Sequence, residues 1–161
     1  LLGEMGADNP SSIPRKEIEA WVKEGVVNYL GKTNDVHQYL LKADCIVLPS
    51  YREGTPRSLL EAAATAKPVI TTDTPGCRNV VDDRVTGYLC KAKDATDLAE
   101  KMQSIIQMSE QERLEFGRLA RQKMEIQFDE KTVIEKYFSA LQDVPPGGYK
   151  IRSKLIKYMT S

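Results

Sequence analysis

The chemically versatile side chains of this chain are concentrated in residues 49–61, which read PSYREGTPRSLLE. The stretch contains two carboxylates, Glu53 and Glu61, and two cations, Arg52 and Arg57. An ionised glutamate can accept two hydrogen bonds from vicinal hydroxyls, and an arginine can bind a phosphate. The combination therefore predicts a ligand that carries both a phosphate and a diol, either a nucleotide sugar or a dinucleotide.

The backbone of this stretch is suited to an anion. A helix is predicted over residues 56–66, with Thr55 as its N-cap and Pro56 as its first residue. The N–H groups of Arg57 and Ser58 would then be free at the positive end of the helix dipole, where phosphates bind. Gly54 has no side chain and would let a ligand approach the backbone closely.

A purely structural interpretation of the two glutamates stays open. Glu53 could pair with Arg52 or with a neighbouring helix, and Glu61 could be a solvated helix residue. The sequence around Glu61 argues against the second possibility, because Leu and Ala occupy residues 59–60 and 62–64 and an idle carboxylate is costly in apolar surroundings. We therefore favour a binding role for Glu61.

The elements that must position these residues follow an α/β pattern. Short apolar segments of strand type alternate with segments of helical period, which predicts a Rossmann-like parallel sheet with flanking helices, followed by a helical C-terminal part. Strands are predicted at residues 1–2, 26–30, 45–49, 68–72 and 88–90, and helices at residues 15–24, 35–42, 56–66, 95–108, 110–127 and 130–141. Residues 49–61 then lie at the carboxyl end of a strand, where open α/β sheets bind ligands.

Composition narrows the classes of partner. The 161 residues include 23 Lys plus Arg and 23 Asp plus Glu, so the net charge is zero and the chain has no long-range field to attract nucleic acid. One histidine and three widely spaced cysteines predict neither a metal site nor a disulfide framework. These features favour a cytoplasmic protein with reduced thiols, in which Cys45 belongs to the core and Cys77 lies in an exposed turn.

The order of several motifs resembles that of a known family. Residues 53–62 are followed by KPVITTD at 67–73, GCRNVV at 76–81 and TGYL at 86–89, and are preceded by GVVNYLG at 25–31. This series, which covers residues 1–141, is similar to the C-terminal domain of the family-4 retaining glycosyltransferases. The resemblance implies the GT-B fold, in which two Rossmann-like domains face each other across a cleft. Residues 9–13 further suggest the bacterial members that build capsule, lipopolysaccharide or other oligosaccharides.

The resemblance also implies roles for individual residues. Glu53 matches the first glutamate of the family's E-x7-E motif, at the donor sugar and therefore at the catalytic centre, and Glu61 matches the second, which binds the ribose diol. The backbone of Gly54, Thr55 and Pro56 would face the donor sugar and its diphosphate. Three further residues would border the base: Val27, Tyr29 and Leu30. The donor would be a UDP- or GDP-linked sugar, transferred with retention and without a metal or other cofactor.

The chain also departs from the family's pattern. The N-terminal domain, which binds a glycan or lipid-linked acceptor, has no counterpart here, nor do the Arg and Lys that hold the diphosphate. We therefore expect a donor-binding fragment that is inactive alone, with a truncated domain over residues 1–141 and a linker and basic tail over 142–161. Residues 149–161 could contact the inner face of a membrane or dock on the N-terminal domain. A nucleotide-sugar epimerase, a phosphorylase of the same fold and a non-catalytic nucleotide-binding module are the alternatives.

Overall fold

The computed structural model describes residues 1–5 and 12–142, with side chains described up to residue 140. The chain divides into two compact units, Leu1–Ala43 and Asp44–Ser161. The predicted tail at residues 149–161 and nearly all of the predicted linker lie outside the described residues. The division into a domain over 1–141 and a tail over 142–161 stays a prediction.

The described residues of the first unit form two helices, α1 (Arg15–Lys23) and α2 (His37–Lys42). Helix α1 ends in a Schellman motif, because the N–H of Gly25 donates to the carbonyl of Val22 and the N–H of Val26 donates to that of Trp21. Gly25 has a φ of +75°, a conformation that glycine adopts readily. The predicted end of this helix is therefore confirmed.

The strand predicted at residues 26–30 is wrong. No strand forms there, although the N-terminal amine of Leu1 donates to the carbonyl of Asn28 and the N–H of Leu30 donates to the carbonyl of Leu1 at 2.8 Å. These two bonds follow the parallel pattern around a single residue pair.

The second unit is built on a three-stranded parallel sheet. Its strands are β1 (Ile46–Leu48), β2 (Val69–Thr72) and β3 (Gly87–Cys90), in the spatial order β1-β2-β3. Ile46 pairs with Val69, and Val69 also pairs with Gly87. All four residues of the central strand β2 are buried, as is typical of a parallel strand covered on both faces. The predicted α/β fold class is confirmed for this unit.

Helix α3 (Arg57–Ala64) connects β1 to β2 and carries part of the core. Leu59, Ala62 and Ala63 are buried on one face of the helix. The helix begins one residue later than predicted: Pro56 occupies the N-cap position, and no side chain caps the helix start. The prediction of Thr55 as N-cap was wrong.

Three helices follow the sheet: α4 (Ala95–Gln107), α5 (Glu110–Gln127) and α6 (Glu130–Gln142). Their predicted starts are confirmed. Asp94 accepts a hydrogen bond from the N–H of Asp97, and Ser109 forms a capping box with Glu112. Their apolar stripes are only partly buried, since Ile106 is 69% exposed and Tyr137 is 70% exposed. In the described residues no helix has both the length and the apolar character needed to cross a bilayer.

The three cysteines are free thiols and are buried or half-buried. Cys77 and Cys90 are buried and Cys45 is half-buried. Cys77 has no exposed surface, so its prediction as an exposed turn residue was wrong. Burial raises the pKa of the Cys45 thiol to about 12, and it also raises the pKa of Cys90.

These environments predict unreactive thiols. At pH 8 a thiol with a pKa about four units higher is a thiolate in about 1 of 10⁴ molecules, and the thiolate is the form that reacts. We expect iodoacetamide to modify the native chain very slowly and to modify all three cysteines quickly in guanidinium chloride, as measured by intact mass. Rapid labelling of Cys45 in the native chain would contradict this environment.

Candidate functional site

The loops that follow the three strands meet at the carboxyl edge of the sheet. The hydroxyl of Thr72, the last residue of β2, donates to the carbonyl of Ser50 in the loop after β1. The N–H of Asp73 donates to the carbonyl of Cys90, the last residue of β3, at 2.8 Å. Residues 49–61 therefore lie where a parallel sheet places its ligand-binding loops, as predicted.

The start of α3 presents free backbone donors at this edge. The N–H groups of Leu59 and Leu60 donate to the carbonyl of Pro56, at 3.1 and 3.2 Å. Arg57 and Ser58 come first in the helix, and their N–H groups have no acceptor among the described residues. Free N–H groups and the positive end of the dipole make this terminus suitable for an anion.

Gly54 and Thr55 lie in the exposed loop directly before α3. A Cβ on Gly54 would have no described heavy atom within 4 Å. The glycine is therefore required neither by packing nor by a positive φ. A close approach of an external ligand to this backbone would account for it.

The second glutamate already has a partner on its own helix. Glu61 accepts a hydrogen bond from Nε of Arg57 at 2.7 Å, an i,i+4 ion pair. The Glu61 side chain is 38% exposed and that of Arg57 is 90% exposed. Surroundings at Glu61 are therefore less apolar than the sequence suggested, and such an exposed pair contributes little stability.

The first glutamate lies in the loop itself. Glu53 is exposed and accepts a hydrogen bond from the Ser50 hydroxyl at 3.2 Å. Arg52 is also exposed and has no ion-pair partner in the described part of the chain. The purely structural pairing of Glu53 with Arg52 is therefore not observed. Both side chains are free to reach a ligand.

Two further residues complete this edge and were missed in the sequence. The ammonium of Lys93, in the loop after β3, lies 5.7 Å from the centroid of the Tyr51 ring. This cation–π contact spans the edge and brings a third cation to it. The sequence separates the two residues by about forty positions and β2 lies between their strands in the sheet, so no local pattern places them together.

The residues predicted to border the base lie in the first unit. Val27 and Tyr29 are half-buried, and Leu30 is exposed. The Tyr29 hydroxyl donates to the carbonyl of Gly3 at 2.7 Å, which fixes its ring within that unit. Their contact with a base stays a prediction.

Metal-ligating side chains do not cluster in the described part of the chain. No group of three or more His, Cys, Asp or Glu residues there is arranged to hold an ion.

Comparison with known families decides the assignment. The model of a family described as "Glycosyl transferases group 1" matches residues 13–123, more than half of the chain and the whole of the candidate site. The chain belongs to this family. The resemblance seen in the motifs is thereby confirmed, and residues 49–61 lie within the part of the chain that the family model matches.

A curated relative agrees with this family assignment, and two solved structures have the same fold. The relative, from Campylobacter jejuni, is N,N'-diacetylbacillosaminyl-diphospho-undecaprenol alpha-1,3-N-acetylgalactosaminyltransferase, 37% identical over 117 residues, which are 73% of this chain and 31% of that enzyme. Anabaena HepE in complex with UDP has a TM-score of 0.73 and 23% identity, over 80% of this chain and 36% of HepE. Sucrose-phosphate synthase from Thermosynechococcus elongatus has a TM-score of 0.74 and 25% identity, over 88% and 37%. The chain spans about a third of these proteins, and the two structures share its Rossmann-like fold, of the GT-B type.

Proposed function

We propose that this chain is the donor-binding part of a retaining glycosyltransferase and binds a nucleotide sugar, UDP- or GDP-linked, at residues 49–61. The observation that carries the proposal is the convergence, at the carboxyl edge of a parallel sheet, of free N–H groups at the start of α3 with two carboxylates. A nucleotide sugar needs both chemistries, because it joins a diphosphate to two polyhydroxylated rings.

The diphosphate is assigned to the start of α3. The N–H groups of Arg57 and Ser58 would donate to its oxygens, and the helix dipole adds a favourable partial charge. Arg52 and Lys93 extend from the loops on either side of the turn that follows β2 and supply the cations that the departing diphosphate requires. No resident metal or other cofactor is needed for this arrangement.

The two carboxylates are assigned to the two sugars of the donor. Glu53, in the loop, contacts the transferred sugar, and its charge stabilises the oxocarbenium-like centre that retaining transfer creates. Glu61 accepts hydrogen bonds from the ribose diol. Arg57 would leave Glu61 on binding and turn to the phosphate, a small cost because the pair is exposed.

The acceptor, a glycan or a lipid-linked glycan, is assigned to a part of the protein that this chain does not include. The chain spans about a third of the relatives that it matches. We therefore propose that transfer requires a second domain and that the 161-residue chain alone gives no measurable turnover with a panel of nucleotide sugars.

Titration of the 15N-labelled chain with UDP and GDP tests the donor site. Amide shifts centred on residues 54–61 are the expected result, at millimolar nucleotide because the chain lacks half of the cleft. Glu61→Gln should weaken the response, since the amide accepts fewer hydrogen bonds from a diol. The matched control is Glu100→Gln, at an exposed glutamate of α4.

Two kinds of outcome would contradict the donor site or the role of Glu61. Shifts that avoid residues 54–61, or no shift with either nucleotide, would contradict the donor site. Equal weakening by Glu61→Gln and Glu100→Gln would contradict the role of Glu61. Epimerase and phosphorylase activities have no feature at this edge that favours them.

The basic tail is a separate prediction. Residues 149–161 carry Lys and Arg interleaved with apolar residues, a composition that fits either an anionic membrane surface or the second domain. If the tail holds a cytoplasmic enzyme at the inner face of the membrane, the chain should sediment with anionic liposomes and a chain ending at residue 148 should not. Equal binding of the two chains would dismiss the tail as an anchor.

A further inference from the structure

The loop that carries Glu53 is packed against the turn after β2. A Cβ built on Gly76 would lie 1.7 Å from the carbonyl oxygen of Gly54, 2.4 Å from its carbonyl carbon and 2.5 Å from the carbonyl oxygen of Glu53. Real Cβ atoms do not approach backbone so closely. Gly76 also has a φ of +36°, which other residues adopt with strain. Any other residue at this position would therefore push the Glu53–Gly54 backbone outward.

Hydrogen bonds from β2 hold the beginning of the same loop. The buried hydroxyl of Thr72 donates to the carbonyl of Ser50 and lies 3.4 Å from the hydroxyl of Thr74. The hydroxyl of Thr71 donates to the carbonyl of Leu48 at 2.8 Å. Residues of β2 therefore hold the start of the loop that follows β1, and Gly76 holds the same loop at Glu53 and Gly54.

The loop is thus packed on one side and open on the other. Gly76 closes the side toward the sheet, whereas a Cβ on Gly54 would meet no described atom within 4 Å. When a ligand binds from the open side, Gly76 prevents the loop backbone from moving away toward the sheet. Binding sites depend on such support, because a displacement of about 1 Å in a positioned group can cost about 100-fold.

We propose that Gly76, together with Thr72, is a positioning residue for the donor site. Gly76 determines how far the backbone of Glu53 and Gly54 lies from the sheet. Thr72 holds the start of the same loop through its hydrogen bond to Ser50. Neither residue contacts the donor. The inference rests on the proposed function, since it assumes that the donor binds to this loop.

The test is Gly76→Ala in the full 161-residue chain, with UDP as the probe. The variant should change the amide shifts of Glu53 and Gly54 without ligand and weaken UDP binding at least about tenfold. Gly117→Ala is the matched control. Its Cβ would lie 2.0 Å from the carbonyl oxygen of Ala66, a similarly close contact with backbone, between α5 and the residues that follow α3.

The control distinguishes positioning from general destabilisation. Gly117→Ala should lower the urea midpoint but leave the UDP dissociation constant of the folded chain within about twofold of wild type. A folded Gly76→Ala variant with wild-type UDP affinity would overturn the proposal, as would equal loss of affinity in both variants.

A second variant decides the case in which Gly76→Ala fails to fold. Thr72→Val keeps the side-chain shape and removes only the hydroxyl that reaches Ser50, and it should weaken UDP binding about threefold. Unchanged affinity in Thr72→Val would then overturn the inference. If wild type shows no UDP response at residues 54–61, the proposed function fails. The amide shifts of Glu53 and Gly54 without ligand, in either folded variant, still decide whether Gly76 and Thr72 position the loop.

Discussion

In the proposed full-length glycosyltransferase that includes this chain, replacing Glu53 with Gln should lower turnover by at least about 100-fold and leave nucleotide affinity nearly unchanged. The amide has the same size and can still accept the hydrogen bond that Ser50 donates to the carboxylate at 3.2 Å. Only the negative charge is lost. A charge that faces an oxocarbenium-like centre acts in the transition state much more than in the bound donor, so kcat falls and KM does not rise.

Glu61→Ala provides the contrasting variant in the same enzyme. Because the ribose is bound equally in the ground and transition states, loss of its acceptor should raise the dissociation constant for the nucleotide about tenfold and change kcat little. Initial rates over a range of donor concentrations, with UDP or GDP affinity measured separately, give both parameters. The assignment of the two glutamates would be contradicted if Glu53→Gln acted on affinity and Glu61→Ala acted on turnover.

The parts of the fold that depend on local sequence could be predicted. Strands β1, β2 and β3 are short, apolar and bounded by turn residues, and the caps Asp94 and Ser109 satisfy the first N–H groups of helices that directly follow them. The position of residues 49–61 at the sheet edge followed from the strand before it and the helix after it. Each of these inferences uses interactions within about ten residues.

The parts that failed depend on distant partners. Residues 26–30 have the composition of a strand, but their hydrogen bonds to Leu1 form a single pair and no continuous ladder. Cys77 is in a Pro-Gly turn, a pattern typical of the surface, yet it has no exposed surface in the folded chain. The role of Gly76 depends on a loop more than twenty residues earlier, and no local pattern distinguishes it from an ordinary turn glycine.

Gly87→Ala should cause the largest loss of stability, at least about 3 kcal/mol. A Cβ on Gly87 would lie 1.9 Å from the carbonyl oxygen of Val69 and 2.8 Å from its carbonyl carbon, at the start of the β2–β3 pairing. Both atoms are backbone atoms of the buried central strand and cannot rotate away. Urea unfolding followed by circular dichroism measures the loss, and wild-type stability in the variant would show that β3 does not approach β2 as closely as described.

Gly54→Ala is the matched control, because the same added methyl group meets no described atom within 4 Å. Its free energy of unfolding should stay within about 0.5 kcal/mol of wild type. UDP binding should nevertheless weaken, since the methyl group occupies the open side from which the proposed donor reaches the backbone. Wild-type UDP affinity in Gly54→Ala would place the nucleotide elsewhere on the sheet edge. Weaker binding at unchanged stability would mean that the glycine at position 54 is required by the ligand and not by the fold.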